Sequence, residues 1–265
     1  MKQLEFTNDE MKNYGEQLRY CIDRYITPIS KVIDNNYGEH WGSGSYIECN
    51  GVKYLITNEH VARGLNSNSL THKFHNNETI FRIKNEMHAR AYPIDVCLVE
   101  IDNEVWEKVE HDSKCIPMDK LSPKFYAVEN EYLYVCGFSG SRSRFLYGCL
   151  FTPSTPYMTF QTELPQNDAE TFNSEFHFAL KYLPDELKYT GDKMELPDPH
   201  GMSGSLVWNT KIVECKENNI QWTCDMPVVV GILWAWPSST SSIISTRIEK
   251  FNIEGLIDNI NKSKK

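Results

Sequence analysis

The sequence holds no Cys-x-x-Cys pair among its eight cysteines, no long apolar run, no low-complexity segment and no basic stripe. Without the paired cysteine spacing there is no signature of a structural zinc, and no metal is expected. The lack of an apolar run of about 18 residues or more leaves no expected membrane span. With 27 Lys and Arg against 36 Asp and Glu, the net charge of −9 does not suit nucleic acid as a main partner. The first ten residues carry a lysine with no apolar segment after it, so no signal peptide is expected and a cytoplasmic location is the default. The cysteine number is even. The chain is nevertheless long enough to dispense with a disulfide framework, and Cys97 and Cys136 lie inside apolar runs. All eight are therefore read as buried thiols.

What is present supports a sizeable core. Apolar residues make up 40% of the 265, enough for one compact enzyme or two closely packed small domains. Residues 7–35 read as helical. Thr7 or Asn8 can cap the start with Glu10 nearby, Met11, Tyr14, Leu18, Cys21, Ile22 and Tyr25 recur at helical spacing, and Pro28 interrupts or ends the helix. From Trp41 the period changes to two. Ser43–Cys49 and Val52–Thr57 flank Asn50-Gly51, a hairpin signal because both turn residues tolerate positive φ. Residues 63–90 are polar, and His72, His75 and His88 among them are taken as solvated. Residues 103–130 read as a connecting loop, and Ser139–Arg144 as a solvated turn with two arginines. Strand-like runs follow at 132–138, 145–151, 157–160, 175–182, 205–208 and 228–237, and a helix closes the chain.

Three stretches carry chemistry. Pro199–Trp208 is a Gly-flanked turn that bears Ser203 and runs into an apolar strand. A serine hydroxyl becomes a nucleophile when a base takes its proton and backbone N–H groups face the developing oxyanion. Leu55–Ala62 is a strand that ends at His60, and Tyr92–Ile101 places Asp95 at the mouth of an apolar strand. A carboxylate there needs a partner, and an imidazole N–H supplies one. Asp102 is a rival at the far end of that strand, and His200 a rival base by proximity. The chain order His60, Asp95, Ser203 excludes the α/β-hydrolase arrangement, which runs Ser, Asp, His.

The motifs I-T-N-E-H-V, D-V-C-L-V and G-M-S-G-S-L-V, in this order, resemble those of the chymotrypsin/trypsin-like serine peptidases, in particular their compact intracellular or bacterial branch. The resemblance implies an all-β fold of two six-stranded antiparallel barrels with a helix at each end. The expected boundaries are 1–35 for the N-terminal helix, 36–125 for a barrel with His60 and Asp95, 126–245 for a barrel with Ser203, and 246–265 for the closing helix. It implies a serine endopeptidase with His60 as base, Asp95 as orienting group, Ser203 as nucleophile and the amides of Gly201 and Ser203 as oxyanion donors. No cofactor is implied. The strand through Leu233, Trp234, Ala235 and Trp236 is similar to the one that pairs with substrate backbone, with Trp236 narrowing the P1 pocket. Partners are then a protein or peptide substrate and a regulatory protein, with no nucleic acid and no membrane. Secreted members carry an aspartate just before the serine and a disulfide beside the histidine. Here Met202, Glu59 and Val61 stand at those positions, so activation through a new amino terminus is not expected. The rival of a different class is a non-catalytic binding module on the same scaffold.

Overall fold

The computed structural model describes residues 6–34, 37–63, 69–127, 130–146, 149–166, 172–183 and 196–264. The first helix, α1 (Asn8–Ile22), starts at a complete capping box. Thr7 Oγ1 accepts from Glu10 N at 3.1 Å, and Glu10 Oε2 accepts from Thr7 N at 2.7 Å. It buries Leu18 and Ile22 and stops there. Residues 26–32, expected to continue the helix, are instead strand β1 (Ile26–Val32). Ile26–Ser30 are all buried, which erases the period-two signal, and the β-branched Ile26, Thr27, Ile29 and Val32 favour an extended backbone.

The remaining elements follow in chain order: β2 (Gly38–Cys49), β3 (Val52–Thr57), α2 (Glu59–Ala62), β4 (Leu70–Lys73), β5 (Ile80–Arg82), β6 (Met87–Arg90), β7 (Val96–Glu100), α3 (Asn103–Lys108) and β8 (Ile116–Pro117). Then come β9 (Leu133–Phe138), β10 (Arg144–Leu146), β11 (Cys149–Phe151), β12 (Ser154–Thr159), β13 (Gln161–Thr162), β14 (His177–Lys181), β15 (Leu206–Asn209), α4 (Ile212–Glu217), β16 (Val228–Ala235), β17 (Ser242–Arg247) and α5 (Ile253–Ser263). Tyr147 and Gly148, within an expected strand run, lie outside the described residues.

The chain is mostly β and almost entirely antiparallel. One large sheet runs β5-β4-β1-β2-β3-β7-β6 with β8 added in parallel to β2, a second runs β12-β9-β15-β16-β17-β14-β13, and β10 and β11 form a separate two-stranded ribbon. The two large sheets contain eight and seven strands rather than six each, because β1 joins the first sheet and short pieces such as β8 and β13 extend both. Asn50 (φ 52°) and Gly51 (φ 77°) form the expected hairpin turn between β2 and β3.

Each of the two large sheets has its own apolar cluster. Tyr46, Leu55, Phe74 and Val99 lie in the first, and Val135, Tyr157, Phe178 and Val207 in the second. A larger cluster joins Ile47, Tyr54 and Ile56 of the first sheet to Tyr134, Leu206 and Ile232 of the second. It also takes in Leu18 and Ile22 of α1 and Leu256, Ile257 and Ile260 of α5. Both terminal helices are thus core elements. Among the described residues no helix is long and apolar enough to cross a membrane.

Two sequence expectations are corrected here. Cys21 and Cys224 form a disulfide across 203 residues, with Cα atoms 6.4 Å apart, so the cysteines are not all thiols. Their spacing gives no hint of the pairing, since only packing brings α1 against the segment after α4. The bond also removes the cysteine argument for a reducing compartment. The second correction is His72, which is not solvated. It is 3% exposed on β4, packed against Phe74 and Phe81, and its Nδ1 accepts from Tyr46 Oη–H at 2.8 Å.

Burial, with His111 nearby, lowers the His72 pKa from 6.5 to about 3. Between those values the unfolded chain binds a proton that the folded chain refuses, so stability is present above pH 6.5 and lost as pH falls toward 3. Urea unfolding from pH 7 to 4 is expected to show stability falling by about 1.4 kcal/mol per pH unit for this one group. His72→Phe should flatten the profile by that amount. A variant profile parallel to the wild type would assign the acid sensitivity elsewhere.

Candidate active site

β3 and β7 are neighbours in the first sheet, with Thr57 opposite Cys97. That register carries the residues just after β3 and just before β7 to the same edge. His60 lies in the short α2 that follows β3, and Asp95 immediately precedes β7 in a left-handed conformation (φ 52°). Asp95 is 4% exposed. Its Oδ1 accepts from His60 N at 2.9 Å and its Oδ2 from His60 Nδ1–H at 2.6 Å. Asn58 Nδ2 holds the Asp95 carbonyl at 2.7 Å. From the second sheet, His177 Nε2–H donates to Pro93 O at 2.7 Å, steadying the chain two residues before Asp95. The carboxylate fixes the proton on His60 Nδ1, which leaves Nε2 with a free lone pair on a half-exposed ring. Asp102, the rival carboxylate, is committed elsewhere and caps α3 by accepting from Glu104 N at 2.8 Å.

The Ser203 turn is built from its carbonyls inward. Asp198 O accepts from Ser139 Oγ at 2.6 Å, Pro199 O from Met202 N at 2.9 Å, and His200 O from Gly140 N at 2.8 Å. Gly201 O accepts from Ser43 Oγ at 2.9 Å and His40 Nε2–H at 3.1 Å. Met202 O accepts from Ser205 N and Ser205 Oγ at 3.0 and 2.6 Å, and Ser203 O from Ser43 N at 2.8 Å. The N–H groups of His200, Met202, Gly204 and Ser205 are spent within the protein. Among the described residues the N–H groups of Gly201 and Ser203 have no protein acceptor. A trans peptide sets N–H opposite C=O, so the two inward-held carbonyls of His200 and Met202 turn these donors to the other side. Gly201 (φ 89°) and Gly204 (φ 92°) supply conformations that side chains resist. Met202, where an acidic residue was noted as missing, is fully buried in the apolar cluster of the second sheet.

The two parts meet at Gly42 of β2. A Cβ built there would stand 2.7 Å from Val61, the neighbour of His60, and 3.4 Å from Ser203 O. His60 and Ser203 therefore lie on one seam between the sheets. Ser203 Oγ is not hydrogen-bonded to His60 but reaches Trp234 O at 3.4 Å. His200 is engaged elsewhere, its Nδ1–H on Asp198 Oδ1 at 2.5 Å and its ring edge-on to Trp236 at 5.2 Å.

In the candidate substrate strand, Leu233 offers nothing outward. Its side chain is in the core, its N–H donates to Ser205 O and its carbonyl accepts from Gly204 N. Trp234, Ala235 and Trp236 are part-exposed, and the Trp234 carbonyl stands 3.4 Å from Ser203 Oγ. A cavity of about 720 Å³ lies elsewhere, lined by Phe160, Thr162, His177, Phe178 and Arg247 among others and by none of His60, Asp95 and Ser203.

Sequence reasoning missed Ser43, His40, Ser139 and Gly140. Ser139–Arg144 is no solvated turn at its start, since Ser139 is fully buried behind the Ser203 turn. A signal existed for Ser43 only, as a polar residue on a strand face otherwise fit for burial needs a partner.

Solved structures similar to this one are viral and bacterial proteases. They include tobacco etch virus protease complexed with product (13% identity, 98% of this chain and 82% of that chain, TM-score 0.47) and tobacco vein mottling virus protease (11%, 84% and 76%, 0.45). The VesB protease of Vibrio cholerae is similar at 14% identity over 87% of this chain, with a TM-score of 0.48, and the match spans 62% of VesB. No family model and no curated protein matches the sequence.

Proposed function

We propose that the chain is a serine endopeptidase acting on protein or peptide substrates. The observation that carries this reading is the convergence on one seam of an Asp95-held His60 and a Ser203 turn with two N–H donors left over. In the proposed cycle Ser203 Oγ leaves its long contact with Trp234 O and attacks the scissile carbonyl while its proton passes to His60 Nε2. Asp95 holds the imidazolium, and the N–H groups of Gly201 and Ser203 take the oxyanion. Collapse breaks the C–N bond, and His60 returns the proton to the departing amine. Water, deprotonated by His60, then hydrolyses the acyl-serine and restores the hydroxyl. Each step uses protein groups and water alone. Trp234–Trp236 at the end of β16 would lie along the substrate backbone, with Trp236 and His200 at its rim.

Incubation with a fluorophosphonate probe, read by intact mass, is expected to give a single adduct on the purified protein and none on Ser203→Ala. No adduct on well-folded wild type would sink the peptidase reading and leave a binding scaffold.

A further inference from the structure

All six backbone carbonyls from Asp198 to Ser203 have donors, and four of those six depend on groups outside the turn. Ser43 is placed at the centre of this set. Its N–H holds Ser203 O at 2.8 Å, its Oγ–H donates to Gly201 O at 2.9 Å, and its Oγ accepts from Phe138 N at 2.9 Å. His40 makes the parallel bridge, with Nε2–H shared between Phe138 O at 2.9 Å and Gly201 O at 3.1 Å. Two residues of β2 thus pin the end of β9 and the nucleophile turn to each other across the seam.

We infer that Ser43 and His40 are positioning residues that hold the Gly201–Ser203 turn in its oxyanion-binding conformation before any substrate or partner binds. The inference rests on the reading of Ser203 as nucleophile. Its physical basis is peptide planarity. The two planes that meet at Gly201 are fixed at both carbonyls, His200 O on Gly140 N and Gly201 O on Ser43 and His40, so neither can rotate without losing a buried hydrogen bond. Ion pairing at position 202 is absent, since Met202 is apolar and buried. The lock is therefore neutral throughout. His40 Nε2 faces two carbonyls and must carry the proton, while its buried Nδ1 has no partner among the described residues. A second proton would be stranded there, and burial lowers the His40 pKa accordingly. Space reinforces the contact: a Cβ at Gly201 would stand 2.5 Å from His40 Cδ2 and 2.6 Å from Nε2.

The test uses the full chain in four forms, wild type, Ser43→Ala, His40→Phe and His40→Gln. Fluorophosphonate inactivation is resolved into its binding constant and its limiting rate, with melting temperature measured alongside. Ser43→Ala and His40→Phe are expected to lower the limiting rate by roughly 10- to 100-fold with the binding constant unchanged, below the effect of deleting an oxyanion donor itself. Glutamine, which keeps a donor near the Nε2 position, should restore most of the His40→Phe loss. Folded Ser43→Ala and His40→Phe proteins with wild-type limiting rates would overturn the inference. So would a crystal structure of the free wild type with His200 O turned away from Gly140 N. If the wild type is unreactive yet its crystal structure keeps His200 O on Gly140 N, and Ser43→Ala releases it, the peptidase reading falls and the lock stands.

Discussion

Replacing Asp95 by Asn is expected to lower the rate of Ser203 modification by about 10⁴-fold while leaving the fold intact. The carboxylate accepts two hydrogen bonds from the same residue, His60 N at 2.9 Å and His60 Nδ1–H at 2.6 Å. An Asn side chain has one acceptor and one donor end. With its oxygen kept on the backbone N–H, the amide nitrogen faces the ring and drives the proton from Nδ1 to Nε2. The tautomer so formed has no lone pair on the side of Ser203 and cannot take its proton. The imidazolium also loses its counter-charge. Fluorophosphonate inactivation kinetics would read the effect, and a loss of less than about tenfold would remove Asp95 from the orienting role.

The second large effect is on stability. Gly204→Ala is expected to cost roughly 3–5 kcal/mol in urea unfolding, a substantial share of the 5–15 kcal/mol typical of a folded domain. Gly204 has φ 92°, where an L residue is strained. Its added methyl would strike Ser43 O and stand 2.5 Å from Thr57 Oγ1. Neither atom is free to retreat, since Thr57 Oγ1–H donates to Ser43 O at 2.7 Å and both strands are internal to the first sheet. Relief would require the seam between the sheets to open. A loss below about 1 kcal/mol would mean that the seam is softer than its hydrogen bonds imply.

The residues that the fold brings together at the candidate site were legible as candidates because their chemistry is local in sequence. Asn50-Gly51 announces the hairpin that ends near His60, and Asp95 stands at the mouth of an apolar run where a lone carboxylate makes no sense without a partner. The supporting cast was illegible for the opposite reason. Ser43 and His40 contact Gly201 from about 160 residues away, and Gly140 meets His200 across the second sheet. Serine and glycine carry no distinctive pattern, so only the fold reveals these contacts. Strand β1 was hidden by its own burial: a segment covered on both faces loses its alternation, and the helical spacing of the preceding residues ran on into it. Leu233 illustrates a limit of carrying a strand over by resemblance, because it closes the buried run Val229–Leu233 and the part-exposed residues begin only at Trp234.

The Cys21–Cys224 bond has a topological consequence. It closes a covalent ring that contains every strand except β16 and β17. A single backbone cut between residues 22 and 223 opens that ring without releasing a fragment. The two pieces stay tethered near their native places, where the shared core that spans both sheets and both terminal helices can hold them together. For a molecule proposed to cleave peptide bonds, self-inflicted nicks would then add only one water each to the mass and release no smaller fragment until the bond is reduced.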